Sequence, residues 1–110
     1  MILRGQIYLA NLKNKGSDLI KKIRPVVIIS NNTGNRLSGI VTVACITSKL
    51  HKKQSTHVFI KKQNKLKPGF VLCEQVYTID KSQLIAYLGD LTEKQIYKLN
   101  IALRIALGIY

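Results

Sequence analysis

The sequence predicts a mainly β domain of the α+β class, a small, strongly bent antiparallel sheet or partly open barrel closed by one C-terminal helix. Three observations carry this expectation. Short apolar runs with a period of two recur from Gln6 to Leu88. Clusters of Gly, Pro, Asn and Ser separate them. The period then changes to that of a helix between Leu91 and Ile109.

Gln6–Leu12 sets Ile7 and Leu9 against Tyr8 and Ala10 and reads as the first strand. Lys13–Lys22 is a polar loop centred on Gly16-Ser17-Asp18. Arg24–Ser30 is a strongly apolar strand with Pro25 read at its first position, where a missing N–H does least harm. Asn31-Asn32-Thr33-Gly34-Asn35 has the composition of a turn. Gly39–Ser48 is rich in β-branched residues, and Thr56–Lys61 alternates again. Lys67-Pro68-Gly69 signals a turn before the strand Phe70–Val76, and Leu84–Leu88 is a last short strand. In Leu91–Ile109, Thr92 and Gln95 have capping-box spacing. Ile96, Leu99, Leu103 and Leu107 fall close to one helical face, and Gly108 is a natural stop.

At 110 residues the chain is one domain, 1–110, able to bury a modest core without disulfides or metal. Its hydrophobic content of 46% argues against a disordered chain. Cys45 and Cys73 lie 28 residues apart inside apolar runs and read as buried free thiols, neither a zinc motif nor a redox pair. No apolar stretch approaches the ~20 residues of a membrane span. The N-terminal residues lack the apolar core of a signal peptide, so a cytoplasmic location without membrane association is expected.

The formal charge is +13, from 18 basic and 5 acidic residues. Residues 19–73 hold eleven Lys or Arg and no Asp or Glu. Such a field attracts polyanions, and nucleic acid is the first partner to consider. The alternative is a basic but merely solvated surface. The five carboxylates, Asp18, Glu74, Asp80, Asp90 and Glu93, are too scattered to suggest the metal cluster of a metal-dependent nuclease. No metal or other cofactor is expected. Cleavage of nucleic acid without metal favours RNA, whose 2′-hydroxyl is an internal nucleophile.

Arg24 opens an apolar strand beside Pro25, and Thr47 and Ser48 end another, followed by Lys49. Arg grips phosphate oxygens with two donors, so these strand ends could cradle one phosphate. The plainer reading is a solvated strand-end charge and a threonine chosen for β-propensity. His51 and His57 are the other acid–base candidates, although a structural or solvent-facing role is the simpler reading of each. Gln54, Ser55, Thr56 and Gln75 could read unpaired bases. With seven aromatic side chains scattered along the chain and no Trp, recognition is expected to rest on hydrogen bonds more than on stacking.

Four segments together carry a resemblance. They are Arg4–Leu12 (RGQIYLANL), Arg24–Asn32 (RPVVIISNN), Ile46-Thr47-Ser48, and Val71–Asp80 (VLCEQVYTID), joined by Thr56-His57-Val58 and Ala106-Leu107-Gly108. In this order they resemble the MazF/PemK (Kid-like) toxins of type II toxin–antitoxin systems, over nearly the whole chain. The resemblance implies an SH3-like barrel with added helices, acting as a homodimer. It implies a metal-independent endoribonuclease that cuts single-stranded mRNA at short sequences, leaving a 2′,3′-cyclic phosphate and a 5′-hydroxyl. It also implies inhibition by an acidic antitoxin.

The family's catalytic arginine and threonine match Arg24 and Thr47. Ser17, Asp18, Lys21, Lys22, Ser48, Lys49 and Glu74 are RNA-contacting candidates beside Gln54, Ser55, Thr56 and Gln75. Arg24 is expected to clamp the charge that develops on the scissile phosphate, with Thr47 orienting the phosphate or the 2′-hydroxyl. One segment departs from the pattern: where many relatives carry a Gly-rich loop, this chain has Gly16–Ile23, with Lys21-Lys22 in place of a glycine pair. These lysines are expected to add attraction for phosphate.

Two other functions remain open at this point. CcdB-like toxins share the fold but poison DNA gyrase, and a small barrel can bind nucleic acid without cutting it. Beyond the main helical face, Ile101, Leu103, Ile105, Leu107 and Ile109 offer more apolar surface than one small barrel needs. Part of the helix is therefore expected to serve a dimer interface.

Overall fold

The computed structural model describes residues 1–13, 23–50, 52–63 and 65–109. Six strands form one sheet, in chain order β1 (Gln6–Asn11), β2 (Ile23–Ile28), β3 (Ile40–Thr47), β4 (His57–Ile60), β5 (Gly69–Asp80) and β6 (Leu84–Asp90). Their spatial order is β4-β5-β3-β2-β1-β6, and every neighbouring pair is antiparallel. A short helix, α1 (Asn32–Leu37), joins β2 to β3, and α2 (Glu93–Leu107) ends the described chain and packs on β4 and β5. The expected bent antiparallel sheet with a C-terminal helix is what the chain forms. The turn after β4 comes round to β6, at the far edge of the sheet. There the Gln63 side-chain oxygen would lie 3.1 Å from a Cβ placed at Gly89.

Alternation along the strands feeds two cores. One face carries Ile7, Val27, Ala44, Ile46, Val58, Ile60 and Val71, covered by Leu99, Ala102 and Leu103 of α2. The other carries Ala10, Val26, Ile28, Val41, Val43, Cys45 and Ile79, with Leu12 beside them. Burying each Val, Leu or Ile among them contributes about 1.5–3 kcal/mol, so the two cores hold the curl of the sheet without crosslinks. Both cysteines are free and buried, as expected.

The α2 termini also follow the sequence. The Thr92 hydroxyl accepts from Gln95 N at 3.1 Å, and Thr92 N donates to the Gln95 side chain at 2.9 Å. Gly108 then takes a left-handed conformation (φ 70°) that a residue with a Cβ adopts at a cost.

Four expectations need correction. The Asn31–Asn35 segment is not a turn: Asn31 caps α1, its side chain accepting from Gly34 N at 2.7 Å. Asn35 is buried and bonds to Ser30 through both its side-chain oxygen and nitrogen, so tertiary contacts hold a helix that composition disfavours. Pro25 is the third residue of β2, not the first, and the ladder with β3 begins just past it at Val26.

β5 does not stop at Val76. Ala44 and Cys45 are consecutive on β3 yet pair with Val76 and Leu72, so Cys73-Glu74-Gln75 is inserted as a bulge and the strand resumes to Asp80. Finally, Leu107 faces solvent at 63% exposure, and the buried side of α2 runs through Leu99, Ala102 and Leu103.

Candidate functional site

Arg24 and Thr47 are 23 residues apart in the chain and meet at one end of the sheet. Val26 pairs with Cys45 at the end of the β2–β3 ladder, and Arg24 and Thr47 lie two residues beyond it on their own strands. The Arg24 guanidinium donates from Nη2 to the Ile46 carbonyl at 3.4 Å, which ties it across the β2–β3 seam. The Thr47 hydroxyl is held by its own turn, donating to Lys49 O at 3.0 Å and accepting from Lys49 N at 3.2 Å. Each side chain thus has a backbone partner at the strand end.

Both residues line a cleft of about 750 Å³. Ser48 and Lys49, expected as contacts, line it too. Its floor is aliphatic, from Leu9, Ile23, Pro25, Ile46, Leu66 and Leu88. Its rim adds Lys65 and Lys67, and none of the lining residues is acidic. A polyanion meets four positive charges over an apolar floor, an environment in which charge–phosphate contacts strengthen.

Lys65 and Lys67 were not singled out by sequence reasoning, although both belong to the acid-free basic stretch. They flank the buried Leu66, whose backbone exchanges two hydrogen bonds with Gln63. The turn so formed presents both lysines outward.

A second polar group forms at the β5 bulge. The Gln54 N–H donates to His57 Nδ1 at 3.0 Å, which leaves Nε2 to carry the ring proton and donate to Glu74 Oε2 at 2.9 Å. The Thr56 hydroxyl donates to the other carboxylate oxygen at 3.0 Å. Burial acts to raise the Glu74 pKa. The hydrogen bonds from His57, from its own backbone and from Thr56 outweigh this and hold the carboxyl below the ordinary glutamate range. His57 is therefore a buried structural histidine that fixes Glu74 in place.

Gln75 shares the bulge, and Gln54 and Ser55 are exposed at the approach to β4. None of these five polar candidates lines the Arg24–Thr47 cleft. The expected contacts Ser17, Asp18, Lys21 and Lys22, together with His51, lie outside the described residues. Among the described residues, no three His, Cys, Asp or Glu side chains gather into a set that could hold a metal ion. None of their helices is long and apolar enough to cross a membrane.

Residues 3–107 match the PemK-like, MazF-like toxins of type II toxin–antitoxin systems. An Endoribonuclease MazF of Staphylococcus saprophyticus is 43% identical over 113 aligned residues, covering 100% of this chain and 94% of the relative. A mycobacterial endoribonuclease, solved in complex with its cognate antitoxin, superposes with a TM-score of 0.84 at 32% identity, covering 100% of this chain and 98% of the other. MazF from Deinococcus radiodurans superposes with a TM-score of 0.82 at 18% identity, over 97% of this chain and 96% of that one, a likeness of fold.

Proposed function

The chain belongs to the PemK-like, MazF-like toxin family of type II toxin–antitoxin systems, and on that premise we propose how its cleft performs endoribonucleolytic cleavage. The protein is a toxin that cuts RNA. Its substrate is single-stranded mRNA, cut at short sequences without a metal ion. The substrate's 2′-oxygen attacks the adjacent phosphorus and the phosphorus–5′-oxygen bond breaks. Overall, a proton passes from the attacking oxygen to the leaving one. The products are a 2′,3′-cyclic phosphate and a 5′-hydroxyl.

The reading rests on one observation: Arg24 and Thr47 line the same cationic cleft, each tethered by a hydrogen bond to backbone. A guanidinium keeps its charge and offers paired donors. Arg24 therefore clamps the nonbridging oxygens as negative charge grows on them, and Thr47 orients the phosphate or the 2′-hydroxyl. Donors fixed before the reaction need no reorganisation during it, which is the origin of their catalytic effect. Lys49, Lys65 and Lys67 gather the flanking phosphates.

The partners are an acidic antitoxin, drawn by the +13 charge, and a second copy of the chain. Tyr97, Ile101, Ile105 and Leu107, exposed on α2, supply apolar surface for the copy. The site of action is the cytoplasm, where mRNA is found. Incubating the purified protein with a long RNA in EDTA, and mapping the new 5′ ends, tests the reading. Discrete 5′-hydroxyl ends are expected, and intact RNA would overturn it.

A further inference from the structure

Phe59 and Phe70 stand in the same row of the sheet as Thr47. Phe59 pairs directly with Phe70 across β4–β5, and Phe70 pairs directly with Thr47 across β5–β3. Directly opposed residues of an antiparallel ladder point to the same face. The row therefore reads Phe59, Phe70, Thr47 across three adjacent strands, about 4.8 Å apart at each step, and Arg24 of the next strand reaches the neighbouring Ile46 carbonyl. The two rings touch, with centroids 5.3 Å apart and planes inclined by 57°. Phe59 is 45% exposed, so a large part of it is open to solvent.

The row lies at one end of the sheet, where β3 and β4 finish and β2 and β5 begin. Lys49, Lys61 and Lys67, all exposed, follow or precede those strand ends by one or two residues. Cations beyond the strand ends and an open aromatic surface beside Thr47 are the two parts of a single-strand binding path. The lysines neutralise the backbone, and the rings take the unstacked bases.

Building on the ribonuclease reading, we propose that Phe59 and Phe70 form a stacking platform for an RNA base one or two nucleotides from the scissile phosphate. A base has a π face whatever its identity, so this position contributes affinity and register with little sequence preference. Sequence discrimination then falls to the hydrogen-bonding groups elsewhere in the site.

The chain contains no tryptophan, so Phe59→Trp creates a single fluorescent reporter at the platform. The probe is a fully 2′-O-methylated single-stranded oligoribonucleotide, which lacks the nucleophile and is not cleaved. Titration is expected to quench the tryptophan emission, and a strand of the same length with abasic residues is expected to leave it unchanged. In steady-state cleavage by the full chain, the Phe59→Leu/Phe70→Leu double variant raises KM about ten-fold with kcat nearly kept, the signature of lost uniform binding.

Unquenched emission in a protein that still cleaves RNA would overturn the platform alone. Quenching in a protein that leaves RNA intact would overturn the ribonuclease reading and leave the platform standing. If the double variant instead loses its dimer in sedimentation, and its cleavage falls in proportion, the two rings are a subunit contact and the proposal fails.

Discussion

Gly69 closes on Thr47 with no space for a methyl group between them. A Cβ at Gly69 would lie 2.6 Å from the Thr47 carbonyl oxygen and 3.2 Å from the carbonyl carbon. The obstructing atoms are backbone, which cannot swing aside as a side-chain tip can. The first residue of β5 therefore helps set where the last residue of β3 stands. Gly69→Ala is expected to cost about 1–3 kcal/mol of stability, the range for overpacked sites. Cleavage should fall in the same variant because Thr47 shifts. Urea unfolding and single-turnover cleavage read the two effects, and a variant that matches wild type in both would refute the coupling.

Arg24→Ala and Thr47→Ala are each expected to lower cleavage about 10²–10³-fold, the usual loss when a preorganised donor is removed. Circular dichroism and sedimentation should stay those of wild type, since neither residue belongs to either buried core. Arg24→Lys keeps the charge but loses the paired donors and should recover little activity. Near-wild-type rates in either alanine variant would remove these residues from the mechanism.

The Glu74 carboxylate is held below its ordinary value of 4.5, with burial opposing the hydrogen bonds that lower it. For a depressed carboxyl, the folded state binds fewer protons than the unfolded chain. Its stabilising contribution is then fully present above the ordinary value and is lost as the pH falls through the lowered one. Unfolding of wild type and Glu74→Gln, compared from neutral pH downward, should show a gap that closes below pH 4.5. A gap independent of pH would show that the contact to His57 and Thr56 does not depend on charge.

Binding of an uncleavable oligonucleotide should weaken steeply with salt, since lysines release counterions from each phosphate they contact. On a single strand the logarithmic slope changes by about 0.7 per phosphate contact. Lys65→Gln and Lys67→Gln, rim residues of the cleft, should each flatten the slope by about that amount if each meets one phosphate. Anisotropy titrations at several salt concentrations measure it, and an unchanged slope in both variants would place these lysines outside the RNA path.

The parts of the fold that could be read in the sequence were those whose signal is local. Thr92, Gln95 and Gly108 mark α2 because capping chemistry needs only neighbours. The Ile46-Thr47-Ser48 strand end could be read because a family pattern and a β-branched run coincide there.

Where long-range contacts decide, the signal was hidden. Asn31 can cap a helix or start a turn, and the choice depends on Asn35 finding Ser30 in the fold. The bulge at Cys73–Gln75 shifts the period within β5, so alternation seemed to end at Val76. The cleft draws Leu9, Leu66 and Leu88 from two strands and a turn, and no spacing along the chain reveals such a set. Phe59 and Phe70 looked scattered until strand register set them side by side.

The two buried cysteines divide between the two cores, Cys73 with the layer under α2 and Cys45 with the opposite layer. Burial pushes the Cys73 thiol up to about 12, and it raises Cys45 as well, against the nearby charge of Arg24. Thiol reagents attack the thiolate, so neither sulfur should react while the sheet is closed. Each thiol thus acts as a clock for its own layer: alkylation at Cys73 times the parting of α2 from the sheet, and alkylation at Cys45 times the uncurling of the opposite face. Matching rates would mean that the protein opens as one cooperative unit, and unequal rates would reveal which layer yields first.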